Sequence, residues 1–243
     1  QSVSVCSGEV LGAGVNLPTL DDAGATITSY EISAVVNGSL VVVTSTTGTG
    51  ETDETILSGD SYTNSTSIDR QVVYTITPYI GTCVGNTFTV TATIQPYPVG
   101  VAQTGTVCSD AVLGSGYALI TLGTSVSASS YNITTIGNTG GLTSSAGSPA
   151  TGTGFGANAL IDDAWTNATG SPEDIVYTIV PVSSAGCLGA SFTVTVTIDP
   201  EPAGTPIAST VCSDEVLGAG YDITTAGAST YTIVSIGNTG GLT

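Results

Sequence analysis

Five cysteines are the residues in this chain best equipped for chemistry, and their spacing is regular. Cys6, Cys108 and Cys212 each follow a Val and precede a Ser, 102 and then 104 residues apart; Cys83 and Cys187 each sit two residues before a Gly and are 104 apart. Thiols can bind a metal or form disulfides. Structural zinc needs four soft ligands grouped as CxxC or Cys/His pairs, and this chain has no His and no CxxC. Disulfides are the better account, and they place the chain in an oxidising compartment. An odd count usually signals a free or intermolecular thiol. The repeat offers another explanation: one Cys near the start of each unit and one late in it.

That reading pairs Cys6 with Cys83 and Cys108 with Cys187, and leaves Cys212 with a partner outside these 243 residues. A rival pairing, Cys83 with Cys108 and Cys187 with Cys212, spans 25 residues in both cases. Between Cys83 and Cys108 lie a strand at Thr87–Ile94 and a Pro-rich linker. At about 3.3 Å per residue these hold the sulfurs roughly one domain apart, whereas a disulfide tolerates Cα separations of about 4.4–6.8 Å. If the first strand starts at the end carrying the last hairpin loop, Cys6 and Cys83 become neighbours. Closing that loop of about 78 residues would stabilise a unit by roughly 4–5 kcal/mol.

Acidic pairs (Asp21-Asp22, Asp53-Glu54, Asp162-Asp163, Glu173-Asp174, Asp214-Glu215) raise the question of calcium. Calcium needs six to eight converging oxygens, and no EF-hand-type loop is present; solvated carboxylates that deter edge-to-edge pairing are the plainer reading. A calcium site, if formed, is expected where Glu9, Asp110 or Asp214 faces the preceding linker. No other cofactor is expected. Two carboxylates would suffice for glycoside hydrolysis, but nothing in the sequence orients or desolvates a pair. With 19 acidic residues, one basic residue (Arg70) and no His or Lys, the usual bases and activated nucleophiles are absent, so no enzyme is expected. A net charge of −18 repels nucleic acid and anionic lipid. Asn-x-Ser/Thr triplets occur at Asn37, Asn64, Asn132 and Asn167, as chance allows in a Ser/Thr-rich chain.

The elements that must position the cysteines are strands. Residues 71–98 alternate Val, Ile, Tyr and Thr with a period of two on either side of the Cys83 loop and close on Pro96-Tyr97-Pro98; residues 174–202 repeat the pattern around Cys187 and close on Pro200-Glu201-Pro202. That alternation marks half-buried strands. VCSGEVLGAG at 5–14 recurs at 107–116 and 211–220. A period near one hundred residues suits independently folded domains in tandem: unit one over 1–98, unit two over 99–202, and the front part of a third over 203–243. Thr26–Val36 and Ser39–Ser45 flank Asn37-Gly38, a strong hairpin signal; Thr46–Asp53 and Ser144–Gly156 read as loose Gly/Thr segments. Thr55–Leu57, Tyr117–Leu122 and Tyr131–Ile136 read as strands, and Ala159–Trp165 as a strand or, failing that, a single helical turn, with Trp165 a packing residue. About seven short strands per unit without helical periodicity predict an all-β, antiparallel sandwich of immunoglobulin type. Pro-rich linkers favour extended, semi-rigid spacers, so the units should form an extended rod. No apolar run approaches the roughly 18–20 residues of a membrane span and no signal peptide is visible, so the sequence reads as a window on a longer, exported array.

VCSxxVLGxG, YxIxxIGNTGGLT, a W/Y-T-N segment (Tyr62-Thr63-Asn64, Trp165-Thr166-Asn167), VYTIxP, GC, FTVTVTI and a closing P-x-P together resemble the PKD-like (Ig-like) tandem repeats of giant cell-surface and gliding-motility adhesins of Bacteroidota. The resemblance covers essentially the whole chain. It implies Ig-like sandwiches, an extracellular location and a role as stalk, spacer or filament, with no catalytic residues to carry over. Expected partners are further repeats of the same long chain and laterally associated rods. The alternative is a carbohydrate-binding or spacer module of a secreted hydrolase, for which exposed aromatic platforms would be the mark.

Overall fold

The computed structural model describes residues 1–36, 39–218, 222–223 and 230–237. Unit one contains β1 (Ser2–Cys6), β2 (Ser29–Val36), β3 (Leu40–Thr44), β4 (Gly48–Glu51), β5 (Ser61–Asn64), β6 (Arg70–Ile80), β7 (Cys83–Val84) and β8 (Phe88–Gln95). Unit two contains β9 (Gln103–Cys108), β10 (Ser130–Asn138), β11 (Leu142–Ala146), β12 (Gly152–Phe155), β13 (Ala164–Asn167), β14 (Glu173–Val182) and β15 (Phe192–Asp199). The larger sheets run β1-β8-β6-β2-β4, with β7 on β6, and β12-β10-β14-β15-β9. Each faces a two-stranded sheet, β3-β5 or β11-β13. The molecule is therefore two tandem β-sandwiches of the same topology.

The period of two decides what is buried. Val72, Tyr74 and Ile76 of β6 and Val90, Ala92 and Ile94 of β8 are fully enclosed, as are Ile175, Tyr177, Ile179, Val194, Val196 and Ile198 in unit two. Full burial of one such aliphatic or aromatic side chain is worth about 1.5–3 kcal/mol. The two clusters of buried apolar residues are separate, so each unit has its own core. Inside each, an Asp is held by aromatic hydroxyls. Tyr74 donates to Asp60 and pairs with Tyr62 across 2.6 Å; Tyr177 donates to Asp163 and accepts from the Trp165 indole N–H.

Several sequence expectations change. The outer pairs β1/β8 and β9/β15 are parallel, with Cys6 opposite Gln95 and Cys108 opposite Asp199. The loose segments hold edge strands β4 and β12, whose Gly/Thr composition conceals them because their side chains are largely exposed. Ile56–Gly59 forms a 3-10 turn in place of the strand expected at Thr55–Leu57. The strand expected at Tyr117–Leu122 is instead the end of a 3-10 turn (Ser115–Tyr117) and irregular chain with one bridge, Gly100 to Thr121, and strand structure near Trp165 begins only at Ala164. Asn37-Gly38 lies outside the described residues, but the strands on either side of it join different sheets: β2 pairs with β6 and β4, and β3 pairs with β5.

Candidate functional site

The only disulfide among the described residues joins Cys6 of unit one to Cys187 of unit two, with Cα atoms 5.5 Å apart; Cys83, Cys108 and Cys212 are free and exposed. Neither sequence-based pairing forms. The reason lies in β1: it does start at the end of the sandwich carrying the late loop, where the Gln1 ammonium reaches the Thr89 carbonyl, but Cys6 closes that strand instead of opening it. The parallel register carries Cys6 to Gln95, seven residues down β8 from Phe88, or roughly 23 Å at strand rise. Cys83 remains at the opposite end. Cys6 meets instead the late loop of the next unit, which reaches back over the junction and buries Cys187 completely.

The linker is part of this site. Pro96 and Pro98 are buried, and the backbone beyond them is tied to unit two: Leu122 N–H donates to Val99 O at 2.8 Å, Val101 N–H to Ile120 O at 3.1 Å, and Val99 N–H to Ser125 Oγ at 3.2 Å. Two glycines permit the close fit. A Cβ on Gly189 would lie 1.9 Å from the Pro98 carbonyl oxygen, and one on Gly100 would lie 2.1 Å from the Phe192 ring. Since real Cβ contacts never come that close, both positions exclude side chains. Ser67, Asp69, Gln95 and Pro96 of unit one and Val126, Ser183, Ser184 and Ala185 of unit two enclose a small cleft beside the disulfide. Sequence reasoning singled out the prolines but missed Gly100 and Gly189; the Gly two residues after each late-loop cysteine was the available signal. Closing the ring through a separation of 181 residues restricts the unfolded chain by roughly 5 kcal/mol on the chain-entropy model.

The acidic candidates sit in the turn that follows each start cysteine. Gly8, Asp110 and Asp214 occupy one repeated position, with φ of 84°, 62° and 64°, the left-handed region that Gly enters without cost and Asp tolerates. Asp110 accepts a hydrogen bond from the Thr166 hydroxyl; that bond, with help from Ser145 and Ser109, holds its carboxyl below the usual range. Glu9 accepts from the Cys6 N–H at 3.4 Å. Asp110 is thus tied to β13 and Glu9 to its own turn, and among the described residues no three His, Cys, Asp or Glu side chains gather where they could share a metal ion.

Two of the Asn-x-Ser/Thr triplets are structural. The Asn64 side chain donates to Ile68 O and Ile94 O and accepts from the Thr66 N–H and hydroxyl; Asn167 does the same with Ser171, Ile198 and Thr169. Both amides are buried and fully used, so neither can accept a glycan in the folded chain. Between positions 1 and 202 no aromatic residue is fully exposed, and Tyr79, Phe88, Tyr97 and Phe155 are half-buried; Tyr231 is 47% exposed. No helix among the described residues is long and apolar enough to cross a membrane.

A family model described as PKD-like domain matches residues 3–98 and again 105–202. No curated protein matches. Among solved structures, the chain is similar to a sialyltransferase from Photobacterium damsela (19% identity, TM-score 0.24, over 46% of this chain and 20% of that one). It is also similar to the EC1-4 region of Drosophila N-cadherin (11%, 0.32, 82% and 47%) and to fibronectin(III)-like modules of Clostridium thermocellum CbhA (10%, 0.26, 82% and 90%). The chain thus spans a fifth of the sialyltransferase and about half of the cadherin fragment. None of these superpositions reaches a TM-score of 0.5, and no argument rests on them.

Proposed function

Because the chain belongs to the PKD-like domain family, we propose that it is a structural segment of an extracellular filament or giant surface adhesin, in which tandem sandwiches act as a stalk. The supporting observation is the junction. A buried linker and a disulfide between consecutive units fix their relative orientation, which a spacer bearing load or reach requires and a catalytic domain does not. Each unit receives the chain at one end of its large sheet and releases it at the other, since β1 begins beside Thr89 and β8 ends at Gln95. Copies added in this way extend an array lengthwise. The disulfide fits an oxidising, extracellular setting, and the charge of −18 fits solubility without nucleic-acid or anionic-lipid partners. The partners in this reading are further repeats of the same long chain and, in a filament, neighbouring rods; catalysis has no part in it.

Small-angle X-ray scattering on the oxidised chain tests the reading. A maximum dimension close to two sandwiches end to end is expected. A profile as compact as a single globule of the same mass would refute it.

A further inference from the structure

Units one and two present the same chemistry in the same register, yet only one cysteine of each is used. Cys6 and Cys108 both close a first strand, opposite Gln95 and Asp199 at the last rung of their parallel ladders. Cys83 and Cys187 both precede a glycine whose N–H donates to a proline carbonyl at 2.8 Å, Gly85 to Pro78 and Gly189 to Pro181. The bond that forms links the start cysteine of one unit to the loop cysteine of the following one. The same rule would give Cys108 the loop cysteine of another unit, and Cys83 the start cysteine of another.

The surfaces around both thiols agree, independently of the sulfurs. At the junction, Gly189 receives the Pro98 carbonyl and Phe192 lies against Gly100, which leaves Phe192 only 8% exposed. Their counterparts Gly85 and Phe88 line an open groove on unit one, together with Pro18, Leu20, Ile27 and Pro78, and Cys83 borders a second opening beside Pro78 and Gly85. At the other end, Pro96 of unit one is buried beside Ser183–Ala185 of the next loop, across a cleft whose rim includes the exposed Ser67. Their counterparts Gly170 and Pro200 line an open cavity on unit two with Ser109, Asn167 and Thr169. The chain thus shows one completed junction and the two complementary halves of another.

We propose that Cys108 and Cys83 are those halves: the Cys83 loop of a second copy of this chain docks on the open end of unit two, and a Cys108–Cys83 disulfide links the copies head to tail. This rests on reading the chain as a segment of a tandem array and names its partner, another unit of the same kind. The bond forms by exchange with a small disulfide such as oxidised glutathione. One protein thiolate attacks it and expels a glutathione thiolate, giving a mixed disulfide; the second protein thiolate then attacks the protein sulfur and expels the other. Two protein thiols are oxidised, one glutathione disulfide is reduced to two thiols, and the two protons go to the leaving thiolates.

The test uses two full-length variants, C83S/C212S and C108S/C212S, each retaining Cys6–Cys187 and one exposed thiol. They are mixed in a glutathione redox buffer and resolved without reductant. Peptide mapping with an Asp/Glu-specific protease locates the bond, because Arg70 gives trypsin a single site. The expected product is a Cys108–Cys83 heterodimer at least tenfold in excess of either homodimer, with the C212S single variant forming a ladder of multimers. Homodimers and heterodimers in statistical proportion, or monomers capped by glutathione, would overturn the proposal. Scattering on the unmixed monomers separates this outcome from the array reading: capped monomers that are still elongated sink only the link between copies.

Discussion

The loops around Cys83 and Cys187 are near-copies in sequence and opposites in environment. Both hang from a long strand, both turn on a proline carbonyl and a glycine N–H, and both carry a cysteine. Yet Cys83 is exposed and free while Cys187 is enclosed and bonded. The Cys187 loop is one residue longer, and Ser183 Oγ accepts from the Cys187 N–H at 3.1 Å, but the bond itself comes from unit one, which presents Cys6 and the buried Pro96 and Pro98. In this chain the environment of a side chain is set at the boundary between copies as much as within a copy.

That contrast can be broken most directly at the sulfurs. Cys187→Ser should cost up to roughly 5 kcal/mol of the chain-entropy contribution, a drop on the order of 10 °C or more for domains of this size. Cys83→Ser should move the melting temperature by no more than the ~0.5 kcal/mol typical of surface changes. Calorimetry on the two variants decides it, and equal effects would mean that the bond does not hold the junction.

The polar anchors come next. Asn167→Ala takes the side-chain partner from the Ile198 carbonyl and the Thr169 N–H, at about 1–3 kcal/mol for each group left buried and unpaired, while the Ser171 carbonyl keeps its bond from the Thr169 hydroxyl. Asn64→Ala should match it, because the same bonds recur in unit one; a large inequality in denaturant midpoints would show that the two copies are not energetically equivalent.

The glycine pair isolates the linker. Gly189→Ala drives a methyl group into backbone at Pro98, whereas Gly85→Ala meets only Pro78 of its own turn, at 2.9 Å. Overpacking of this kind typically costs about 1–3 kcal/mol, and the excess for Gly189 over Gly85 is the junction's share. Hydrogen exchange at Val101 and Leu122, whose N–H groups pin the linker, should quicken in Gly189→Ala alone.

The smallest expected difference appears in base. Burial raises the phenol pKa of Tyr74 and Tyr177, with Tyr74 pushed further by its bonds to Tyr62 and Asp60. Because the folded values lie above the unfolded value of about 10, this stabilisation is fully present below pH ~10 and is lost as pH climbs beyond it. Each raised phenol contributes the same slope above that pH. Unit one, where Tyr30, Tyr62, Tyr74 and Tyr79 are raised, should therefore soften somewhat more steeply in alkali than unit two, where Tyr117, Tyr131 and Tyr177 are, as tyrosinate absorbance during alkaline titration would show.

How much of this was visible in the residues depends on whether the signal was local. The long strands declared themselves through Val72-Tyr74-Ile76 and its repeat, because one face is packed and the other is wet. The edge strands at Gly48–Glu51 and Gly152–Phe155 did not, since nothing buries their side chains and so no alternation is selected. The sandwich and its duplication followed from such patterns. The disulfide partner did not, because it depends on a parallel pairing that sends Cys6 to the far end of its sheet, and strand direction leaves no mark on composition. Asp110 and Asp214, weak calcium candidates from the sequence, stand where Gly8 stands, at positive φ in a turn that only tolerant residues enter.

The Cys6–Cys187 bond also decides where tension would travel. A pull arriving up-chain of β1 reaches Cys6 after one short strand, crosses directly to Cys187, and leaves down β15. Residues 7–186, which include most of both cores but not the β15 residues Phe192, Val194, Val196 and Ile198, hang beside that route as a slack covalent bight. The segment would then yield almost no contour length when stretched, and would behave as a cable whose stiffness is set by sulfur and two strands.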